Sequence, residues 1–176
     1  MGNLITSAVN FGVPSAMPAR QIASVHPDFL ALTAQLDLKF SRLMALKPIV
    51  AEQVPTDTPL GGVYLFSENN VALYAGRTKR KIGVRIRSHF NTAPDCAFAW
   101  LLARDVTGFK ATYRTADSRI ELLKRPAFRA AYDAAKLRIR KMHVRYVHEA
   151  DPLRQTLLEV YVAVVAQAKH NDFETH

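Results

Sequence analysis

The sequence predicts an α+β fold: a small, mainly antiparallel three-stranded sheet flanked by helices, with a helical extension on its N-terminal side. Three observations lead there. Val63 to Phe66 and Val71 to Ala75 are apolar, β-branched and aromatic runs separated by the turn-forming Ser67-Glu68-Asn69-Asn70. Met142 to Val147 alternates as a third strand should, and most of the remaining chain carries apolar residues at helical spacing behind recognisable starts. The length suits one domain with a real core, and a composition 49% hydrophobic and 22% charged is that of an ordinary globular chain.

Residues 1 to 25 carry little charge and contain Pro14 and Pro18, which predicts an irregular arm. Met1-Gly2-Asn3-Leu4-Ile5-Thr6 also matches the short acylation pattern, one that arises readily by chance. Phe29, Leu32, Leu36, Phe40, Leu43 and Met44 then recur at helical spacing, predicting one helix from about Pro27 to just before Lys47-Pro48. Its apolar stripe is expected to pack on the rest of the chain, with a partner or dimer helix as the other reading. Ile49 to Pro59, flanked by Pro48 and containing Pro55, is expected to be a linker. The organisation is therefore an arm and helix over 1–60 and a second unit over 61–176.

Within the second unit, a hairpin loop of Glu68 to Asn70 would pair Ser67 with Val71 and place Tyr64 opposite Tyr74, with both phenols on one face. The second strand runs through Gly76 into Arg77-Thr78-Lys79-Arg80-Lys81 and then into a helix, where Arg85 and His89 are four apart and share a face. An inserted helical stretch near 94–138 follows. Its parts are Pro94 to Arg104 around Phe98, Trp100 and Leu101, a helix Ser118 to Lys124 capped by Asp117, and Ala127 to about Arg138 behind Pro126. Asp151-Pro152 opens the last helix, whose apolar side is expected at Leu153, Leu157, Val160, Val164 and Ala168. Glu159 sits among apolar neighbours there, and a carboxylate in such a place needs a cation or a metal.

The net charge of +9 is unevenly spread. Residues 1 to 60 hold four basic and four acidic residues, so the excess lies in residues 61 to 176, which hold twenty and eleven. Arg77, Lys79, Arg80, Lys81, Arg85 and Arg87 form one basic run and Arg129, Lys136, Arg138, Arg140, Lys141 and Arg145 a second. Such runs are often solvated faces, but two of them on one domain favour a polyphosphate partner. The single cysteine, Cys96, excludes an internal disulfide framework and suits a reducing compartment. Neither a basic region leading into an apolar run nor a stretch of about 18 apolar residues is present, so a cytoplasmic protein without membrane association is expected. His143 and His148, five apart on a strand, point to opposite faces and make a poor metal pair.

Gly62-Val63-Tyr64 and Tyr74-Ala75-Gly76, followed by Arg85 and then His89, resemble the core of the GIY-YIG nucleases. Ala75, where isoleucine or valine is usual, is a departure. The resemblance covers residues 62 to 171, since it also asks for a glutamate on a later helix and an asparagine about a dozen residues beyond, which Glu159 and Asn171 supply. It implies metal-dependent hydrolysis of phosphodiester bonds in nucleic acid, with DNA the expected form. Tyr64 would take a proton from water, with Tyr74 and His89 holding or relaying it. Arg85, together with Arg77, would bind the scissile phosphate, while Lys79, Arg80, Lys81 and Arg87 would hold the backbone. Glu159 would bind one Mg²⁺ or Mn²⁺ ion, and Asn171 would act in the site or order the chain around Glu159. Two other readings stand beside it: a basic nucleic-acid-binding module of the same fold without catalysis, and a Cys96/His89 thiol hydrolase, for which no signature surrounds the cysteine.

Neither the neutral 1–60 nor the short stretch after Asn171 is expected to form a separate DNA-reading domain, so target choice falls to loops, the inserted segment, a homodimer or a partner protein. The protein should accordingly bind DNA with weak sequence preference and an affinity that falls steeply with salt, as phosphate contacts dictate. Fluorescence anisotropy on two unrelated duplexes over a salt series checks this. Tight binding to one sequence that ignores salt would contradict it.

Overall fold

The computed structural model describes residues 25–91, 96–109, 114 and 118–171. The predicted arm, the acylation pattern, Pro94 and Asp117 lie outside these residues. Among the described residues four strands, not three, form one antiparallel sheet in the order β1-β4-β2-β3, with β1 Ile49–Val50, β2 Leu60–Glu68, β3 Val71–Lys81 and β4 His143–His148. The additional strand is only two residues long. It pairs with Val144 and His143 inside the stretch expected to be a linker, which continues as a 3₁₀ turn over Ala51–Gln53. A pair this short leaves no alternation to find in the sequence.

Seven helices accompany the sheet among the described residues: α1 Pro27–Thr33, α2 Leu36–Ala45, α3 Ile82–Ser88, α4 Ala97–Thr107, α5 Arg119–Lys124, α6 Pro126–Lys141 and α7 Pro152–Val165. The single N-terminal helix expected from periodicity is thus two. Thr33 Oγ1 donates back to the Phe29 carbonyl at 2.9 Å, a bond that bends helices, and Gln35 leaves helical geometry at φ −109°, ψ 4°. Of its apolar stripe only Leu43 is fully buried, while Phe29 and Met44 stand exposed. α5 is capped by Ser118, whose side chain accepts from the Glu121 amide.

β2 is central and buried from Gly61 to Ser67, so its sequence is a continuous apolar run. Its alternate residues feed two cores. Val63 and Leu65 pack with Leu43 of α2 and Leu158, Val162 and Ala163 of α7, whereas Tyr64 and Phe66 pack with Ile82 and Ile86 of α3 and with Phe98, Leu102 and Phe128 of the inserted helices. The result is three layers with the sheet in the middle. The buried stripe of α7 is Gln155, Leu158 and Val162, rotated from the expected one; Leu153, Val160 and Val164 face out. No helix among the described residues is long and apolar enough to cross a membrane.

The hairpin register also departs from expectation. Asn69 and Asn70 take positive φ of 51° and 63°, the two-residue turn that asparagine tolerates, so Glu68 pairs with Val71. A bulge beyond it then pairs Phe66 with Tyr74 and Tyr64 with Gly76. Loop and bulge each displace the register by one, and a slip of two leaves every side chain on its face. Tyr64 and Tyr74 therefore still share a face although they are not opposite.

Both glycines of the two triplets are needed for close approach. A Cβ on Gly76 would lie 2.5 Å from Tyr64 Oη, and one on Gly62 would lie 2.3 Å from the Val147 carbonyl oxygen. Gly76→Ala should therefore displace the Tyr64 ring and cost about 1–3 kcal/mol, as overpacking does. Thermal denaturation should show a drop of several degrees. A melting temperature unchanged from wild type would mean that the ring has room it does not have here.

Candidate active site

The centre of the site is the phenol of Tyr64, which has no exposure to solvent. Its oxygen lies 2.8 Å from His89 Nε2 and accepts from Arg85 Nε at 3.3 Å. The local fold explains the convergence. β3 runs directly into α3, whose Ile82 and Ile86 are buried, so the turn between them points Arg85 and the C-capping His89 back at β2. Aromatic edges enclose the imidazole, with the Phe66, Tyr64 and Tyr74 ring centres 5.3, 5.4 and 5.8 Å from its own. Tyr74 in turn stacks on Phe98 of α4 at 4.7 Å. On the far side of the ring His89 Nδ1 meets Cys96 Sγ at 3.3 Å. The sequence pairs Cys96 with His89 only under the thiol-hydrolase reading, and it gives no sign of the Tyr74–Phe98 stack.

Burial sets the protonation states. It drives the Tyr64 phenol well above the usual tyrosine range, with Arg85 pulling the other way, and lifts Tyr74 to about 12, helped by the charge of Glu159. His89 falls to about 3, first because it is buried and second because Arg85 is near. The Cys96 thiol is raised by burial. At neutral pH these four groups are therefore uncharged, and the charges beside them belong to Arg85, Arg77 and Glu159.

Arg77 Nε donates to Glu159 Oε2 at 2.9 Å, with the two side chains 38% and 23% exposed, so the site opens to solvent at this pair. Glu159 stands at the margin of the buried stripe of α7, where burial raises its pKa and Arg77 lowers it. No group of three or more histidine, cysteine, aspartate or glutamate side chains converges among the described residues. Mg²⁺ commonly takes only one or two carboxylates and fills its shell with phosphate and water. The partly exposed Glu159 carboxylate could supply one ligand of such a shell.

Asn171, expected to act in the site or to order the chain around Glu159, bonds to the backbone of β3. Its side chain accepts from the Ala75 amide at 2.7 Å and donates to the Ala75 carbonyl at 2.9 Å, continuing a pairing begun by the Lys169 and His170 amides on the carbonyls of Ala72 and Leu73. It covers the free edge of β3 and fixes the backbone between Tyr74 and Gly76. Among the other basic residues, Lys79 and Arg80 are exposed and make no ion pair among the described residues. Lys81 pairs with Asp57 at 2.6 Å. Arg87 donates twice to the Val54 carbonyl, at 3.1 and 2.8 Å, which commits it to the fold. The second basic run is largely neutralised: Arg129 pairs with Asp133, Arg138 with Glu68 and Arg140 with Glu52, while Arg145 holds the Leu46 carbonyl. His143 and His148 are exposed on β4, and His148 Nδ1 lies 2.9 Å from the Gly61 carbonyl.

No family model, curated protein or solved structure matches this chain.

The depressed pKa of His89 has a consequence for stability. The unfolded chain takes up this proton near pH 6.5, while the folded protein refuses it until about 3. Between those values the unfolded state binds more protons, so the contribution of His89 is complete above about pH 7 and is lost as pH falls, at a slope approaching about 1.4 kcal/mol per pH unit. Urea denaturation from pH 7.5 to 4.5 should show this decline, and His89→Gln should flatten it. A decline equally steep in H89Q would assign it to other groups.

Proposed function

We propose that the protein hydrolyses phosphodiester bonds in nucleic acid, DNA foremost, with one divalent cation. The observation that carries the reading is the Tyr64 oxygen held between Arg85 Nε at 3.3 Å and His89 Nε2 at 2.8 Å, one cation and one neutral base. Phosphodiester hydrolysis needs a group to accept the proton of the attacking water, a sink for that group's own proton and positive charge against the phosphorane oxygens. Tyr64 receives the water proton as its phenolic proton passes to His89 Nε2. Burial first and Arg85 second depress the basicity of His89, so a phosphate arriving at Arg85 relieves the smaller of the two effects and makes the imidazole a better proton acceptor.

Arg85 and Arg77 orient the phosphate, and exposed Lys79 and Arg80 continue the cationic path along the backbone. Glu159 would hold the Mg²⁺ or Mn²⁺ ion, which supplies Lewis-acid stabilisation of the departing oxygen when bound. Tyr74, stacked on Phe98, walls the imidazole and keeps bulk water from it. The residues serve catalysis only together, and the free thiol at Cys96 suits a cytoplasmic setting.

A binding module without catalysis would use Arg77 and Glu159 as a plain ion pair, and two substitutions separate the cases. Nicking of supercoiled plasmid should require Mg²⁺ and stop on chelation. Tyr64→Phe should lower kcat by about 10²-fold or more, the usual worth of positioned proton transfer, with DNA affinity unchanged. Glu159→Gln should abolish cleavage yet keep or strengthen DNA binding, because a negative charge near the phosphates is gone. Wild-type rates for E159Q at saturating Mg²⁺ would exclude the metal role.

A further inference from the structure

We infer that Cys96 is a positioning residue: its sulfur holds His89 in the tautomer with the proton on Nδ1, leaving the Nε2 lone pair to receive the proton of Tyr64. The inference rests on the hydrolytic reading of this site and adds a group that neither the motif nor the charge pattern contains.

The argument is an account of donors and acceptors in a closed space. Tyr64 is 0% exposed and His89 1%, so their hydrogen bonds must be made within the protein. Arg85 Nε can only donate, so it occupies a lone pair of the Tyr64 oxygen. Among the described residues His89 Nε2 is then the one acceptor within reach of the phenolic proton. The reverse tautomer would point an N–H at the same oxygen and strand the phenolic O–H. Nδ1 therefore carries the proton, and its partner at 3.3 Å is Cys96 Sγ.

The thiol is placed to accept. Cys96 is the N-cap of α4, where its sulfur also receives the Ala99 amide at 3.2 Å, and its own amide is tied to Tyr132 Oη at 3.2 Å. α4 and α6 thus fix the sulfur from both sides of the residue. Sulfur is a weak donor that loses little when its own proton has no strong partner, which suits a group asked only to accept. A neutral thiol also adds no charge, whereas a carboxylate in that place would charge the imidazole and end its capacity to take a proton.

Long-range proton–nitrogen NMR on protein labelled at histidine nitrogen tests this, with the His89 signals assigned by their absence from H89Q. Wild type should show the proton on Nδ1. In Cys96→Ala that preference should weaken, and kcat for nicking should fall about tenfold or more with KM unchanged, as losses of a histidine's outer partner do. Cys96→Ser, which keeps an acceptor there, should restore both. A wild-type His89 protonated on Nε2, or a C96A protein with unaltered tautomer, would overturn the inference, as would C96S behaving like C96A. Because the tautomer is read without substrate, an inactive wild type carrying its proton on Nδ1 would strike the hydrolytic reading and leave this one standing.

Discussion

A phenol placed in the middle of a sheet buried on both faces must find its hydrogen bonds inside the protein or lose several kilocalories per mole, and Tyr64 is so placed. Much of the neighbourhood follows from satisfying it. Gly76 is opposite because no side chain fits under the ring. α3 leaves β3 at once because Arg85 and His89 must both reach one oxygen, and a single turn of helix is the shortest device that aligns two such groups. The imidazole, buried in consequence, needs a partner for its second nitrogen, and this draws the N-terminus of α4 onto the site. A chain of uncharged hydrogen bonds from Tyr64 through His89 to Cys96 is what remains when solvent is excluded and one cation stands at the end.

That arrangement separates two kinds of basic residue which composition lumps together. The +9 net charge suggests two cationic faces, yet Arg129, Arg138 and Arg140 of α6 meet acidic partners from their own helix, the sheet and the 3₁₀ turn. Paired charges at a surface contribute little to stability and offer a phosphate little unless the partner is displaced. Arg87, bonded twice to a carbonyl, is an interior anchor. Near the site, exposed Lys79 and Arg80 of β3 make no ion pair among the described residues, Arg85 donates to the Tyr64 oxygen, and Arg77 is paired with Glu159. The charge count therefore overstates the free positive charge on α6, while Arg85 brings a cation to the phenol itself.

How much of this could be read beforehand depends on how local each feature is. β2, β3, β4, the Asp151-Pro152 helix start, the shared sheet face of Tyr64 and Tyr74 and the shared helix face of Arg85 and His89 are written in short windows of period and spacing, and all are present. The two-residue β1 carries no period of its own. The break between α1 and α2 turns on one threonine hydroxyl and one backbone dihedral, which periodicity does not sense. The stripe of α7 was mislocated because valines and leucines lie on both sides of that helix, and only packing against β2 and β3 selects the side of Leu158 and Val162. The Tyr74–Phe98 stack, and a place for Cys96 beside His89 other than as a nucleophile, were invisible for a stronger reason, since both depend on which residue a distant helix meets.

The spacing of Glu159 and Asn171 was legible, but its meaning is topological rather than chemical. Glu159 meets Arg77 and Asn171 meets Ala75, two residues on the same strand one step of the pleat apart. From Glu159 the helix climbs to Val165, roughly 9 Å at 1.5 Å per residue, and must return almost as far to bring Asn171 alongside. The reversal is made in few residues: Gln167 takes a left-handed φ of 53°, the Ala168 amide bonds back to the Ala163 carbonyl at 2.8 Å, and the Gln167 amide to that of Val164 at 3.2 Å. The chain then lies along β3 as an edge partner. A dozen residues is thus the length of helix remaining, one tight reversal and a short return. The asparagine at its end belongs to the site because it closes this loop against the strand bearing Tyr74 and Gly76, holding Glu159 and Tyr64 to a common frame without touching either.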